Sequence, residues 1–336
     1  MGSSVAHRSS TAVRASSAVV IVGAVVLLFL GAAGQCGSRP LAAGACRACD
    51  RPSATVAPRS APPVNVILFG WDGAQRAHVK ECLSRGELPT LKAIAAKGRL
   101  VAVDVVRTTD TKAGWAQILT GYQPETSGVA SNSRYQPIPD GYTVFERLER
   151  AFGSSYVTVA VVAKKDHVGC APGLPFANAV GDMEHFDNGL VSSQAVAERA
   201  MQYLERYRDR RFFFFVHFGQ PDASGHGFGE DSREYNDGLV GDDYWTGQVL
   251  AKLKALGLAG RTAVYVTADH GFDEGLKSHG DAPYVFLATT DKGVTRRGLR
   301  EDIAPTIYDR LGLGDEAFSP ALDGHSLRSA YEPPQW

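Results

Sequence analysis

The sequence predicts an α/β fold, a three-layer sandwich in which a largely parallel central sheet is flanked by helices on both faces. Three observations predict it. From residue 64 onward, short β-prone apolar runs alternate with longer amphipathic segments, the order in which parallel strands and their crossover helices follow one another. The run at 212–218, FFFFVHF, is apolar almost throughout, as a strand buried on both faces must be. Acids, histidines and a hydroxyl recur just beyond the strand ends, the edge where open α/β sheets bind ligands.

Taken in order, strands are expected at 64–69 (VNVILF), 100–106 (LVAVDVV), 156–162 (YVTVAVV), 212–218, 263–267 (AVYVT) and 284–288 (YVFLA), each rich in β-branched or aromatic residues. Between them, amphipathic stretches predict helices at 90–96, 114–120, 144–151, 193–208, 236–256 and 302–311. No internal repeat is evident. The 336 residues suit one large catalytic domain, 64–331, with a short tail at 332–336.

What precedes that domain has another character. Arg8 and Arg14 lead into an apolar run at 18–33 that ends in small residues, the layout of a signal peptide or membrane leader over 1–36. The run falls short of the roughly 20 residues that span a bilayer. The expectation is export, to a periplasmic, extracellular or membrane-anchored location through this leader. Cys36 invites lipidation, but Gln35 stands where a lipoprotein signal has a small residue. Residues 37–63, rich in Ala, Pro and Ser, read as a linker. Five cysteines are too few for a disulfide scaffold; Cys46 and Cys49 form a lone CxxC, and Cys82 and Cys170 could pair in an oxidising compartment. A net charge of −1 suggests no nucleic-acid partner beyond nucleotide-like substrates. Nothing bears on oligomeric state.

The strand ends carry Asp72 after the first strand, RTTDTKAGW after the second, Asp222 and His226 after the phenylalanine run, Asp269 and His270 after AVYVT, and then His279. Singly, each reads as a cap or a structural histidine. Together, three acids and three imidazoles on one edge suit zinc or a similar divalent ion, and with a hydroxyl they exceed one tetrahedral site, so two metals are expected. A pair of divalent ions serves in-line displacement at phosphorus, which points to a small phosphate-ester substrate. The nucleophile is either water or Thr111, which enters a helix where amide N–H groups favour an anionic oxygen; alternatively Thr111 only caps that helix.

These residues lie in the stretches ILFGWDG, TKAGWAQILTGYQPETSGVASN, QPDASGHG, TADHGF, SHGDAP and DIAPTIYDRLGL. In that order they resemble the alkaline phosphatase superfamily, and within it the type I phosphodiesterase/nucleotide pyrophosphatase branch. The resemblance implies an alkaline-phosphatase-like fold and Thr111 as nucleophile, with a covalent phosphothreonine intermediate. It implies one metal held by Asp72, Thr111, Asp269 and His270 and another by Asp222, His226 and His279, with Asn132 donating to a nonbridging phosphate oxygen. His325 in LDGHSL competes with His279 for the last position; His279 is expected. Lys112 departs from the family pattern and is expected to face solvent. Pro221 and Gly225 are expected to shape the exit turn that aims Asp222 at the metals.

The AKKDHVG segment resembles a sulfatase motif, making Lys165 and His167 candidate substrate contacts, but Thr111 stands where a sulfatase needs Cys or Ser. A phosphomonoesterase, a phosphotransferase and a non-catalytic exported binding protein on the same fold are the other readings. Arg107 and Arg134 lie near the motifs without a fixed role. No long insertion interrupts the domain, so any cap over the site is small or absent.

Overall fold

The computed structural model describes residues 65–163, 167–282 and 284–330. The expected leader, linker and tail lie outside the described residues, as does Lys165. Among those described, no helix is long and apolar enough to cross a membrane.

The elements run β1 (Asn65–Trp71), α1 (Arg76–Arg85), α2 (Pro89–Lys97), β2 (Arg99–Asp104), α3 (Thr111–Thr120), α4 (Pro124–Ser127), α5 (Val144–Phe152), β3 (Tyr156–Val162), β4 (His185–Asp187), α6 (Ser193–Arg206), β5 (Arg211–Phe218), α7 (Gln220–Phe228), α8 (Arg233–Ala255), β6 (Thr262–Thr267), β7 (Tyr284–Thr289), β8 (Gly298–Leu299) and α9 (Ile303–Arg310). They build one sheet in the order β4-β3-β5-β1-β6-β7-β2-β8. Every pairing is parallel except those of β7, which runs antiparallel to both β6 and β2. The described residues 268–282 between β6 and β7 contain no helix, and a parallel return needs a crossover of a dozen or more residues, usually helical; the chain therefore folds straight back. This is the alkaline-phosphatase-like mixed α/β sheet, largely parallel as expected.

The six expected strands all form, with ends shifted by no more than two residues, and the six expected helices form with them. Five elements were not foreseen: α1, α4, α7 and the short edge strands β4 and β8. Segment 220–228, QPDASGHGF, reads as a turn because it holds proline and two glycines. It is a helix because Pro221 sits in the first turn, where its missing N–H costs nothing. Gly225 does not shape a turn either: a Cβ there would lie 2.4 Å from the Phe272 ring, so glycine lets the helix press onto that ring.

The phenylalanine run is central. β5 lies between β3 and β1, and Phe212 through Phe215 are fully buried. Register then decides the site. Trp71 of β1 pairs with Phe218 of β5, and Gly70 with Thr267 of β6, so three adjacent strands end at one level. Beyond that level the backbone is stitched: Asp72 N donates to Phe218 O at 3.0 Å and Asp222 N to Asp72 O at 2.9 Å. Cys82 and Cys170 are buried free thiols, so the pairing considered above is not made; burial pushes Cys82 up to about 11 and Cys170 up to about 12.

Candidate active site

Thr111 is the first residue of α3 and is 2 % exposed. Asp110, not Thr111, holds the capping position, so the threonine hydroxyl is not spent as a cap. Its Oγ1 lies 3.1 Å from His270 Nε2. Two features bring α3 this close to the end of β6. Gly114 leaves room, since a Cβ would lie 2.8 Å from both Asp269 Cβ and Arg300 Nη1. Trp115, on the next position, packs over Gly70 of β1 and edge-on to His217 of β5 at 5.0 Å.

Around Thr111 the expected ligands fall into two groups. Asp72, Asp269 and His270, all fully buried, present ligand atoms within 4.8 Å of one another, and so do Asp222, His226 and His279. His270 Nε2 lies 3.4 Å from Asp269 Oδ2, 3.5 Å from Asp72 Oδ1 and 3.7 Å from Asp222 Oδ1; His226 Nε2 lies 3.3 Å from Asp222 Oδ1. These spacings exceed a normal hydrogen bond of about 2.9 Å. They match the edge of a tetrahedron about 3.3 Å long that ligands roughly 2.0–2.1 Å from a zinc ion define. Asp222 and His226 are one helical turn apart on α7, which puts both on the same face. His226 Nδ1 donates to Lys277 O at 2.8 Å and His270 Nδ1 to Gly271 O at 2.9 Å, leaving Nε2 of each aimed inward. Burial, then the neighbouring His226, holds His279 below its ordinary value, in the neutral form that binds metal. The donor set fits divalent cations. His325 belongs to neither group; its backbone is held by Asp302 and Arg296.

Residues that were not foreseen hold these ligands. His217, the histidine of the FFFFVHF run, donates from Nε2 to Asp72 Oδ2 at 3.0 Å, with both side chains fully buried. Arg300, also fully buried, donates from Nη1 to Asp269 O and from Nη2 to Thr108 O, each at 2.6 Å, and so ties the approach to Thr111 to the end of β6. Desolvation lowers this guanidinium to about 10, still charged at neutral pH. Asp273 accepts from Ser278 Oγ, Gly280 N and Asp281 N at 2.8–2.9 Å, closing the loop that carries His279. None has a spacing signature; His217 was hidden inside an apolar run.

Asn132 Oδ1 accepts at 2.9 Å from Lys112 N, the amide that follows Thr111 in the chain, and its NH₂ is its donor group. Lys112 does not face solvent: its Nζ bonds Asn132 O at 3.1 Å and sits 4.6 Å from the centre of the Tyr135 ring. His167 Nδ1 approaches Asp72 Oδ2 at 3.6 Å, at the metal-ligand wall. Arg107, in a left-handed conformation at φ 72°, pairs with Glu125.

Comparison with known proteins identifies the family and the fold. Residues 66–290 match the family model "Type I phosphodiesterase / nucleotide pyrophosphatase". The chain is 26% identical over 225 residues to the bis(5'-adenosyl)-triphosphatase of Pongo abelii, covering 64% of this chain and 49% of that protein. To ectonucleotide pyrophosphatase/phosphodiesterase family member 1 of Homo sapiens it is 25% identical over 224 residues, covering 64% and 24%. The chain thus spans about half of the first and a quarter of the second. A phosphonate monoester hydrolase from Silicibacter pomeroyi superposes with a TM-score of 0.57 at 17% identity, covering 81% of this chain and 78% of that one. The lipoteichoic acid synthase from Listeria monocytogenes superposes at 0.56 and 16%, covering 79% and 75%, which speaks for the fold alone. On the strength of a family match over two thirds of its length, the chain belongs to the type I phosphodiesterase/nucleotide pyrophosphatase family.

Proposed function

We propose that this protein is an exported two-metal phosphoric ester hydrolase, a phosphodiesterase or nucleotide pyrophosphatase that works through a covalent phosphothreonine on Thr111. The observation that carries this reading is the Thr111 Oγ1 to His270 Nε2 distance of 3.1 Å at the start of α3, inside the Asp72/Asp269/His270 group. Family membership supports the substrate class. The leader at 1–36 motivates the assignment to export, and secretion of the full-length chain from its host would test that part.

Asp72, Asp269 and His270, with Thr111, would hold one divalent cation, and Asp222, His226 and His279 a second; carboxylate and imidazole donors favour zinc. When bound, the two ions supply charge neutralisation for the phosphate and for the oxygens of an in-line displacement. Thr111 Oγ gives up its proton to solvent and attacks phosphorus, its nucleophilicity favoured by the N-terminal end of α3. The Oγ–P bond forms as the bond to the leaving oxygen breaks on the Asp222/His226/His279 side, and the alcohol departs with a proton from solvent. The Asn132 NH₂ donates to a nonbridging oxygen throughout, and His167 lines the same wall. Water then attacks phosphorus from the vacated side and loses a proton to solvent, the Oγ–P bond breaks, and Thr111 Oγ takes up a proton from solvent, which restores the hydroxyl.

The test compares bis-p-nitrophenyl phosphate, p-nitrophenyl phosphate and p-nitrophenyl sulfate with wild type and Thr111→Ala, metal content being measured by elemental analysis. Two equivalents of zinc and a diester preference lost in Thr111→Ala are expected. Monoester preference would move the protein to the phosphatases. Sulfate preference would support a sulfatase, a reading kept by the 39% identity over 87 residues to steryl-sulfatase of Rattus norvegicus. Metal binding without turnover of any of the three esters would point to a transferase or a narrowly specific hydrolase.

A further inference from the structure

Lys112 is the residue that the reaction above does not use, yet the fold holds it beside the nucleophile. It follows Thr111 directly in the first turn of α3. Its backbone amide donates to Asn132 Oδ1 at 2.9 Å and its ammonium to Asn132 O at 3.1 Å, so main chain and side chain both grip the residue proposed to face the nonbridging oxygens. The ammonium also rests on the face of Tyr135, 4.6 Å from the ring centre. Among the described residues a carbonyl and a π face hold it, and no carboxylate neutralises it. An ammonium carries three donors, and a part-buried one facing only neutral partners keeps an attraction for an anion.

Where that anion belongs follows from in-line geometry. The leaving oxygen departs opposite Thr111, toward Asp222, His226 and His279. The retained substituent and the nonbridging oxygens lie around the equator of phosphorus, on the side that Asn132 lines. We propose that Lys112 is a specificity-determining residue that recognises a second anionic group, a phosphate or carboxylate, on the retained part of the substrate. The assignment rests on the phosphodiesterase reading and names its substrate class: organic phosphates that carry a further negative charge on the group that stays with phosphorus.

The experiment uses two chromogenic esters with the same leaving group: the p-nitrophenyl ester of thymidine 5'-monophosphate, and the same ester bearing a 3'-phosphate. The full-length metal-loaded enzyme is expected to prefer the 3'-phosphorylated ester by about tenfold in kcat/KM, mostly through KM, the size of one hydrogen bond to a charged group. Lys112→Ala is expected to erase that preference and Lys112→Arg to keep it. In calorimetry, thymidine 3',5'-bisphosphate should bind wild type about tenfold more tightly than thymidine 5'-monophosphate, and Lys112→Ala should lose that margin. Equal use of both esters by wild type, or a preference that survives in Lys112→Ala, would overturn the proposal while leaving diester hydrolysis intact. Release of p-nitrophenolate from neither ester would overturn the functional reading itself.

Discussion

His217 and Asp72 form a fully buried pair, Nε2 to Oδ2 3.0 Å, across the neighbouring parallel strands β5 and β1. A ligating carboxylate held this way has one oxygen fixed by the histidine and the other turned into the Asp72/Asp269/His270 group. His217→Ala is therefore expected to lower the affinity of that group for zinc by about 10- to 100-fold, and His217→Gln, which keeps a donor, to restore much of it. Chelator titration of metal content measures both; equal affinity in wild type and His217→Ala would refute the role.

Arg300 is expected to act on Thr111 without touching substrate. It bridges Thr108 O and Asp269 O, so Arg300→Met leaves two carbonyls buried without their donor, at a cost of about 1–3 kcal/mol each. A shift of the threonine by 1 Å would lower kcat by about 100-fold. Gly114→Ala drives a methyl into the same contact and should destabilise by about 1–3 kcal/mol. Denaturant unfolding and kcat on the diester, read together, check both variants.

Asp273 organises both flanks of His279, accepting Ser278 Oγ on one side and Gly280 N and Asp281 N on the other. In Asp273→Ala the Asp222/His226/His279 group should release its cation at about tenfold lower chelator concentration, while the Asp72/Asp269/His270 group is spared. Loss of both metals together would show that the loop serves the whole site.

Glu301 predicts a pH dependence of stability. Burial lifts its carboxyl from 4.5 to about 7, with Asp302 adding repulsion and the backbone and Arg300 opposing. The folded state thus holds a proton that the unfolded state has released, and stability falls as pH rises from 4.5 toward 7 by up to about 3 kcal/mol from this group. Glu301→Gln, which keeps a neutral partner for Gln123, should flatten the decline in Tm over that window. An unchanged pH profile in the variant would show that another group sets it.

Strand positions were legible because burial on both faces writes itself as unbroken apolar runs, and Phe212 through Phe215 could be nothing but interior. The ligands were legible for a related reason: Asp72, Asp269 and His270 follow their strands directly, where a polar residue after an apolar run stands out. α7 was not legible, since its proline and glycines argue for a turn, and only the Phe272 ring pressed against Gly225 shows why a helix tolerates them. Lys112 was read as a solvent-facing lysine because its neighbours Asn132 and Tyr135 are 20 or more residues away in the chain.

By itself, then, the sequence determined the fold class, the strand edge that bears the chemistry, and the residue types collected there, all properties of local patterning and chain order. The tertiary structure decided what depends on register and close approach. Ending β1, β5 and β6 at one level divides six ligands into two groups, the fit of Gly114 against Asp269 sets Thr111 beside His270, and His217 and Arg300 become supports only when segments distant in sequence lie side by side. Contacts between side chains far apart in the chain leave no periodic trace, which is why they had to be seen in three dimensions.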